Sequence, residues 1–228
     1  MTKIVRGIDL TGKSVLDYGS GAGGGAIALV TSHGAATVVG LEIEAPLIEY
    51  SRNLAAERGC TGKVEFRAIQ PGTLPVDDCS YDCFYCSGVL SHFEDKASFL
   101  HRVYQALKPG GWVLGYDWFI SDICPTIDEW LKVSDLDFYQ CSFDDFQALM
   151  KASGFENASC EDSTTWYQEE ACKELELLQG PLFDELAVVS SSELRSKFIH
   201  EWKCMIAAFN SGNLQQGYFR CQKPFRTE

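Results

Sequence analysis

The chain has 228 residues, 46% of them hydrophobic, and a formal net charge of −13. That length and apolar content suffice for one domain with a sizeable core. So acidic a surface repels phosphate backbones and anionic lipid, which argues against nucleic acid and membrane surfaces as partners and favours small molecules, cationic ones included. No apolar run approaches transmembrane length, and Met1 to Gly7 lack the apolar segment of a signal peptide, so a soluble cytoplasmic protein is expected. The ten cysteines are scattered. Cys83-Phe84-Tyr85-Cys86 is formally C-x-x-C, but it sits inside an apolar strand-like run with no second pair behind it. Buried thiols acting as small hydrophobes, and no metal site, are therefore expected. The oligomeric state is not readable.

A first strand is expected at Val15-Leu16, ending in Asp17. The segment Asp17-Tyr18-Gly19-Ser20-Gly21-Ala22-Gly23 then reads as a glycine turn into a helix that opens at Gly24. Glycines let the backbone pass close to a ligand where any Cβ would clash, and the helix start presents unpaired N–H groups. Asp17 can hold a cation or accept from an ammonium or hydroxyl. The run Gly19-Ser20-Gly21-Ala22-Gly23-Gly24 also satisfies the looser G-x-G-x-x-G of dinucleotide binders, which keeps an NAD site open.

Ala36 to Leu41 is a second apolar run, with Glu42 at its carboxyl end. In doubly wound folds an acidic residue there takes ribose hydroxyls, and Ile43 would then flank the adenine. Pro46 to Arg58 reads as a helix stopped by Gly59, and Val64 to Ala68 as a third strand. Tyr81 to Ser87 is a fourth strand. Asp95 to Leu107 is a helix with Phe99, Leu100, Val103, Tyr104 and Leu107 on one face, stopped by Lys108-Pro109-Gly110-Gly111. Trp112 to Tyr116 is a fifth strand. Strands alternating with helices predict a parallel sheet covered on both faces. Helices are expected at Asp144 to Ala152, at Tyr167 to Gln179, and after the capping box Ser190-Ser191-Ser192-Glu193, where Leu194, Phe198, Trp202, Met205 and Phe209 share a face. Leu214 to Gln222 reads as a final strand.

The glycine turn after Asp17 resembles the first motif of the S-adenosylmethionine-dependent methyltransferases, and the acidic residue two positions before the first glycine favours that cofactor over NAD. Thr73-Leu74-Pro75-Val76-Asp77-Asp78, Tyr81-Asp82, Val89-Leu90-Ser91-His92 and Leu107-Lys108-Pro109-Gly110-Gly111 form an ordered set that closely resembles the type-11 group of class I. The resemblance implies an α/β, Rossmann-like, doubly wound seven-stranded sheet whose last strand is antiparallel. Within one domain it implies a core of about 12–160, a helical cap of about 161–212 and a final strand of about 213–223. It implies S-adenosylmethionine bound by Asp17, Gly19, Ser20, Gly21, Gly23, Glu42, Ile43, Gln70, Tyr85 and Ser87.

A narrower resemblance is to small-amine N-methyltransferases, notably the phosphoethanolamine enzymes. It rests on the first motif, on Tyr85-Cys86-Ser87 with His92, and on Gly217-Tyr218-Phe219-Arg220. It implies a small amine as acceptor and His92 as catalytic base or orienting group. His33, His101 and His200 read as surface or helix positions. A methylated amine is a bulky cation, which aromatic faces stabilise. Trp118, Phe119, Trp166 and Tyr167 are the candidates for that role, with core packing as the alternative. The chain departs from the phosphoethanolamine pattern in three places. Gly88 stands where those enzymes carry an aspartate, Gln70 stands where an acidic residue meets the adenine amine, and Lys132 to Tyr139 has no clear match for the phosphate-gripping residues apart from Phe138 or Tyr139. Met1 to Lys13 is too short for the family's N-terminal lid, so an open cofactor pocket is expected, and a non-catalytic or truncated binding protein stays as the alternative.

Overall fold

A computed structural model describes residues 3–225. Four parallel strands are laid down first: β1 (Ser14–Tyr18), β2 (Thr37–Glu42), β3 (Val64–Ala68) and β4 (Tyr81–Ser87). The helices α1 (Gly24–Thr31), α2 (Ala45–Glu57) and α3 (Lys96–Ala106) alternate with them. The long strand β5 (Leu107–Ile120) follows, then α4 (Pro125–Ser134), α5 (Phe143–Ala152) and β6 (Glu156–Asp162). Three helices, α6 (Thr164–Gln179), α7 (Pro181–Leu186) and α8 (Ser192–Asn210), precede β7 (Leu214–Gln222). The seven strands form one sheet in the order β3-β2-β1-β4-β5-β7-β6, and β7 runs antiparallel to both its neighbours. The expected α/β sheet with an antiparallel last strand is therefore the one observed.

Alternation along each strand splits the core in two. Leu16, Phe84, Cys86 and Val113 face α3 and α5, while Val15, Val38, Cys83, Tyr85 and Leu114 face α1 and α2. Six of the ten cysteines lie in these clusters or packed against them, and all ten are free. A third cluster joins Ile120 on β5 and Ile127 and Trp130 on α4 to Ala171 on α6 and Cys204, Met205 and Phe209 on α8. It is the seam by which the C-terminal helices attach to the sheet.

Four elements differ from expectation. Lys108-Pro109-Gly110-Gly111 ends α3 as anticipated, but β5 starts at once. The Gly110 N–H donates to the carbonyls of Lys223 and Pro224, and the Lys223 N–H to that of Gly111, so strand pairing continues through the apparent stop. Strand β6 escapes the sequence pattern because an edge strand needs few apolar residues; of Glu156 to Asp162 only Ala158 is buried. Helix α4 is short, starts on Pro125 and buries only Ile127, Trp130 and Ser134. The N-cap of α8 is Ser191, whose hydroxyl accepts from the Leu194 N–H at 3.2 Å, one residue later than a Ser190–Glu193 box requires. Among the described residues no helix is long and apolar enough to cross a membrane.

Candidate active site

The carboxyl ends of β1, β2 and β4 surround a cavity of about 570 Å³. Its walls are the β1 turn (Tyr18, Gly19), the end of β2 (Leu41, Glu42, Ile43), the loop after β3 (Ile69, Pro71, Gly72) and the segment Ser87 to Glu94 after β4. This is the edge at which open α/β sheets bind ligands, because strand order reverses beside β1.

The β1 turn is shaped for close approach. Gly19 holds φ at +70°, and a Cβ there would lie 2.5 Å from Val89 Cγ2. Gly23, the α1 N-cap residue, has φ of 83°, and a Cβ there would meet Phe66 and Ser51 at 2.8 Å. A side chain at Gly19 would force the turn and the β4 loop apart, and one at Gly23 would press on β3 and α2. The Gly19 and Ser20 N–H groups both donate to the Leu41 carbonyl, which fixes the turn against β2.

Two carboxylates define the electrostatics. Glu42 is buried; its Oε2 accepts from the Gly21 N–H at 2.8 Å, and its Oε1 from the Ile43 and Glu44 N–H groups at 2.7 and 3.1 Å. Those donors orient the group on the cavity wall and leave acceptor capacity for a hydroxyl. Asp17 lies deeper, only 1% exposed. Burial, then the nearby Glu42 charge, pushes its carboxyl up to about 7 against a backbone hydrogen bond from Ala26. Asp17 Oδ2 and Ser20 Oγ are buried without a partner. Such orphans cost free energy unless a donor reaches them, and an ammonium or hydroxyl on a cofactor is a donor of the required kind. The residues present therefore fit S-adenosylmethionine at this end of the cavity.

His92 closes the opposite wall from a 3₁₀ turn, Leu90–His92. Its Nδ1 lies 2.9 Å from the Asp137 carbonyl oxygen. A carbonyl cannot donate, so Nδ1 carries the proton and Nε2 is the basic nitrogen of the neutral ring. The imidazole stacks on Phe138 at 4.7 Å. Asp117, on β5, holds the loop that carries His92. Its Oδ2 accepts from the Val89 and Ser91 N–H groups, both at 3.1 Å, and its Oδ1 from the Trp118 N–H at 2.8 Å. Lys96 is also buried and donates to the carbonyls of Phe93 and Tyr139, tying the same loop to the Phe138 segment.

The anticipated residues divide into those at the cavity and those beside it. Gly19, Glu42, Ile43, Ser87 and His92 line it; Asp17, Ser20, Gly21 and Gly23 form the turn beneath. Gln70 is exposed between two lining residues, and its carbonyl accepts from the Thr73 N–H and hydroxyl. Tyr85 is buried in the cluster under α1 and α2 and does not line the cavity, but its hydroxyl is bonded to Ser87, which does. Phe119 is 2% exposed and packs on Phe143 and Phe146 in the core below α5. Its neighbour Trp118 points to the other face, against Trp130 at 5.8 Å, Phe138 at 6.1 Å and Tyr167 at 6.4 Å. Trp166 is half-exposed, with the Lys3 ammonium 5.0 Å from its ring centre. Phe138, a possible match from the resemblance, joins the aromatic wall with Trp130, which was not singled out, and Asp117 was missed as the anchor of the His92 loop. Asp117 carried a usable signal, being a carboxylate inside a strand with apolar residues around it.

A family model described as a methyltransferase domain matches residues 15–111, from β1 through the start of β5. Over residues 15–111 the chain carries a methyltransferase domain, and the relatives and solved structures support S-adenosylmethionine as its cofactor. Phosphoethanolamine N-methyltransferase 3 of Arabidopsis thaliana is 26% identical over 208 residues, which span 91% of this chain and 42% of that protein. The chain is also 27% identical over 154 residues to an O-methyltransferase of Pyrenophora dematioidea, covering 66% of this chain and 57% of that one. The chain spans less than half the length of the plant phosphoethanolamine enzymes that it matches. Among solved structures, phosphoethanolamine N-methyltransferase 2 of Haemonchus contortus, bound to phosphomonomethylethanolamine and S-adenosylhomocysteine, superposes with a TM-score of 0.86 at 22% identity. That likeness covers 98% of this chain and 51% of the other. A cyclopropane synthase of Mycobacterium tuberculosis superposes with a TM-score of 0.82 at 16% identity, covering 93% of this chain and 79% of the other. These likenesses carry the methyltransferase fold.

Proposed function

We propose that this methyltransferase domain transfers a methyl group to a small amine, with His92 as the base. The observation that carries the reading is the position of His92: it shares one cavity wall system with Glu42 and the β1 turn, and its tautomer leaves Nε2 free to take a proton. In this reading Asp17 and Ser20 hold the cofactor's ammonium end, Glu42 accepts from the ribose hydroxyls, and Ile43 flanks the adenine. S-adenosylmethionine supplies a methyl group on a sulfonium centre, already activated for transfer. His92 Nε2 accepts the proton that an attacking ammonium must lose, and the Phe138 stack and the Asp137 carbonyl hold its ring in place. Trp118 and Phe138, which are only partly buried, offer aromatic faces beside it for a substituted ammonium, with Trp130 packed behind them.

Among the described residues the cavity is lined by no lysine or arginine, while Glu42 and Glu94 are both present. A phosphate dianion lacks its usual cationic partners there. The acceptor is therefore read as a cationic or neutral amine, and phosphoethanolamine as a poor substrate. The O-methyltransferase among the relatives supports a second reading, in which His92 deprotonates a hydroxyl. Calorimetry with S-adenosylmethionine, S-adenosylhomocysteine and NADH tests the cofactor; tighter NADH binding rules the reading out. A screen of amines and hydroxyl compounds for S-adenosylhomocysteine production then separates the two acceptors. Binding without turnover on any acceptor would favour a non-catalytic role.

A further inference from the structure

The seam between α4 and α8 contains a group of side chains that the cavity does not use. His200 and Cys204 stand four residues apart on α8 and so share a face, and Glu129 on α4 meets them. One ligand atom from each lies within 4.8 Å of the other two, and Cys204 Sγ is 3.8 Å from His200 Nδ1. We propose that Glu129, His200 and Cys204 form a zinc site that ties α4 to α8, with water completing a four-coordinate shell.

The donor set is one that zinc takes: a carboxylate oxygen, an imidazole nitrogen and a thiolate sulfur. Around a tetrahedral zinc with ordinary bond lengths the ligand atoms sit about 3.3–3.8 Å apart. Closing the group to that spacing needs only side-chain rotation, because Glu129 and His200 are exposed, and among the described residues Glu129 makes no ion pair. Cys204 is the buried inner ligand, packed in the seam with Met205 and Ala208. Burial and the negative charges of Glu129 and Glu201 hold its thiol above the ordinary range. Those charges disfavour a bare thiolate, and so a nucleophilic role, while they attract a dication. Binding forms a sulfur–zinc bond and breaks the S–H bond, and the proton leaves to solvent. Affinity therefore rises with pH.

The site has a structural consequence. Trp130, next to Glu129, stacks on Phe138 at 5.1 Å, and Phe138 stacks on His92. A metal that fixes α4 against α8 also fixes the aromatic wall beside the cavity.

The test is zinc titration of the chelator-stripped full chain against a chromophoric chelator, with cobalt(II) absorbance as a second readout. The wild-type chain should take up a single zinc ion in competition with the chelator. With cobalt it should give a thiolate-to-metal charge-transfer band, a signature that packing alone does not produce. Cys204→Ser should abolish the band and weaken zinc binding by about tenfold or more, the scale of lost metal-site partners. Should Cys204→Ser fail to fold, the exposed substitutions Glu129→Gln and His200→Gln carry the same comparison, each weakening zinc uptake by a similar factor. Equal uptake by wild type and all three variants, an unchanged cobalt band in folded Cys204→Ser, or no uptake by the wild-type chain, overturns the proposal. None of these measurements involves methyl transfer, so the site stands or falls separately from the catalytic reading.

Discussion

The two ends of the cavity are built in different ways. The end toward β1 and β2 is made of backbone and short acidic groups from two brief segments, residues 17–23 and 41–43, each held by N–H donors from its own neighbourhood. The end toward His92 is lined by the segment after β4 and backed by side chains gathered from distant segments: Asp117 and Trp118 on β5, Trp130 on α4, Phe138 beyond it and Tyr167 on α6. In the proposed reading the cofactor is met by local geometry, which a strand–turn–helix unit reproduces by itself. An acceptor that differs between enzymes is met by rings whose positions depend on how the C-terminal helices pack, where single substitutions re-shape the surface.

The sharpest way to separate the two ends is at His92. His92→Ala should lower turnover on the true acceptor by roughly 10²-fold or more and leave S-adenosylhomocysteine affinity unchanged, as measured by steady-state kinetics and calorimetry. Normal turnover in a folded variant would return His92 to a packing role against Phe138.

Asp117 probes how the acceptor end is held. Its carboxylate serves three backbone N–H groups, so Asp117→Ala should cost about 3 kcal/mol in urea unfolding, the scale of several buried donors left without acceptors. Turnover should fall further than cofactor affinity. An equal loss of both would mean that the loop supports the whole cavity rather than one end of it.

Glu42 tests the cofactor end. Glu42→Ala should weaken S-adenosylhomocysteine binding by about 1–3 kcal/mol, the range for charge-assisted hydrogen bonds. Glu42→Gln, which can still accept from the Gly21 N–H, should lose less. Unchanged affinity in both would show that Glu42 only braces the β1 turn.

A different kind of test is the pH dependence that Asp17 confers. Its carboxyl is raised from 3.8 to about 7 by burial and the Glu42 charge, so the folded chain holds this proton more tightly than the unfolded one. Stability from this group is fully present below about pH 4, falls as pH rises toward 7 and is level above that. Thermal melts of wild type and Asp17→Asn across that window should diverge, with the variant lacking the decline. S-adenosylhomocysteine affinity should move the other way, rising with pH as the carboxylate becomes available to an ammonium. A pH-independent difference between the two proteins would mean that Asp17 is already ionised in the free chain.

Much of this molecule is determined by short stretches of its own sequence. The strand–glycine–helix unit at Asp17 to Gly23 folds from local pattern, as does the run of four strands and three helices that follows, because a parallel strand buried on both faces is a near-continuous apolar run. Glu42 was legible as the acidic residue closing β2, and His92 through the family resemblance of the segment after β4. Only the tertiary structure decided the rest. Two adjacent aromatic residues, Trp118 and Phe119, point to opposite faces of β5, so one joins the wall beside His92 and the other the core. Strand β6 exists because β7 offers it hydrogen-bonding groups, not because its residues are apolar. Glu129, His200 and Cys204 meet because α4 packs on α8, a contact that no spacing along the chain encodes, since side-chain packing between distant segments is settled only when the whole core closes.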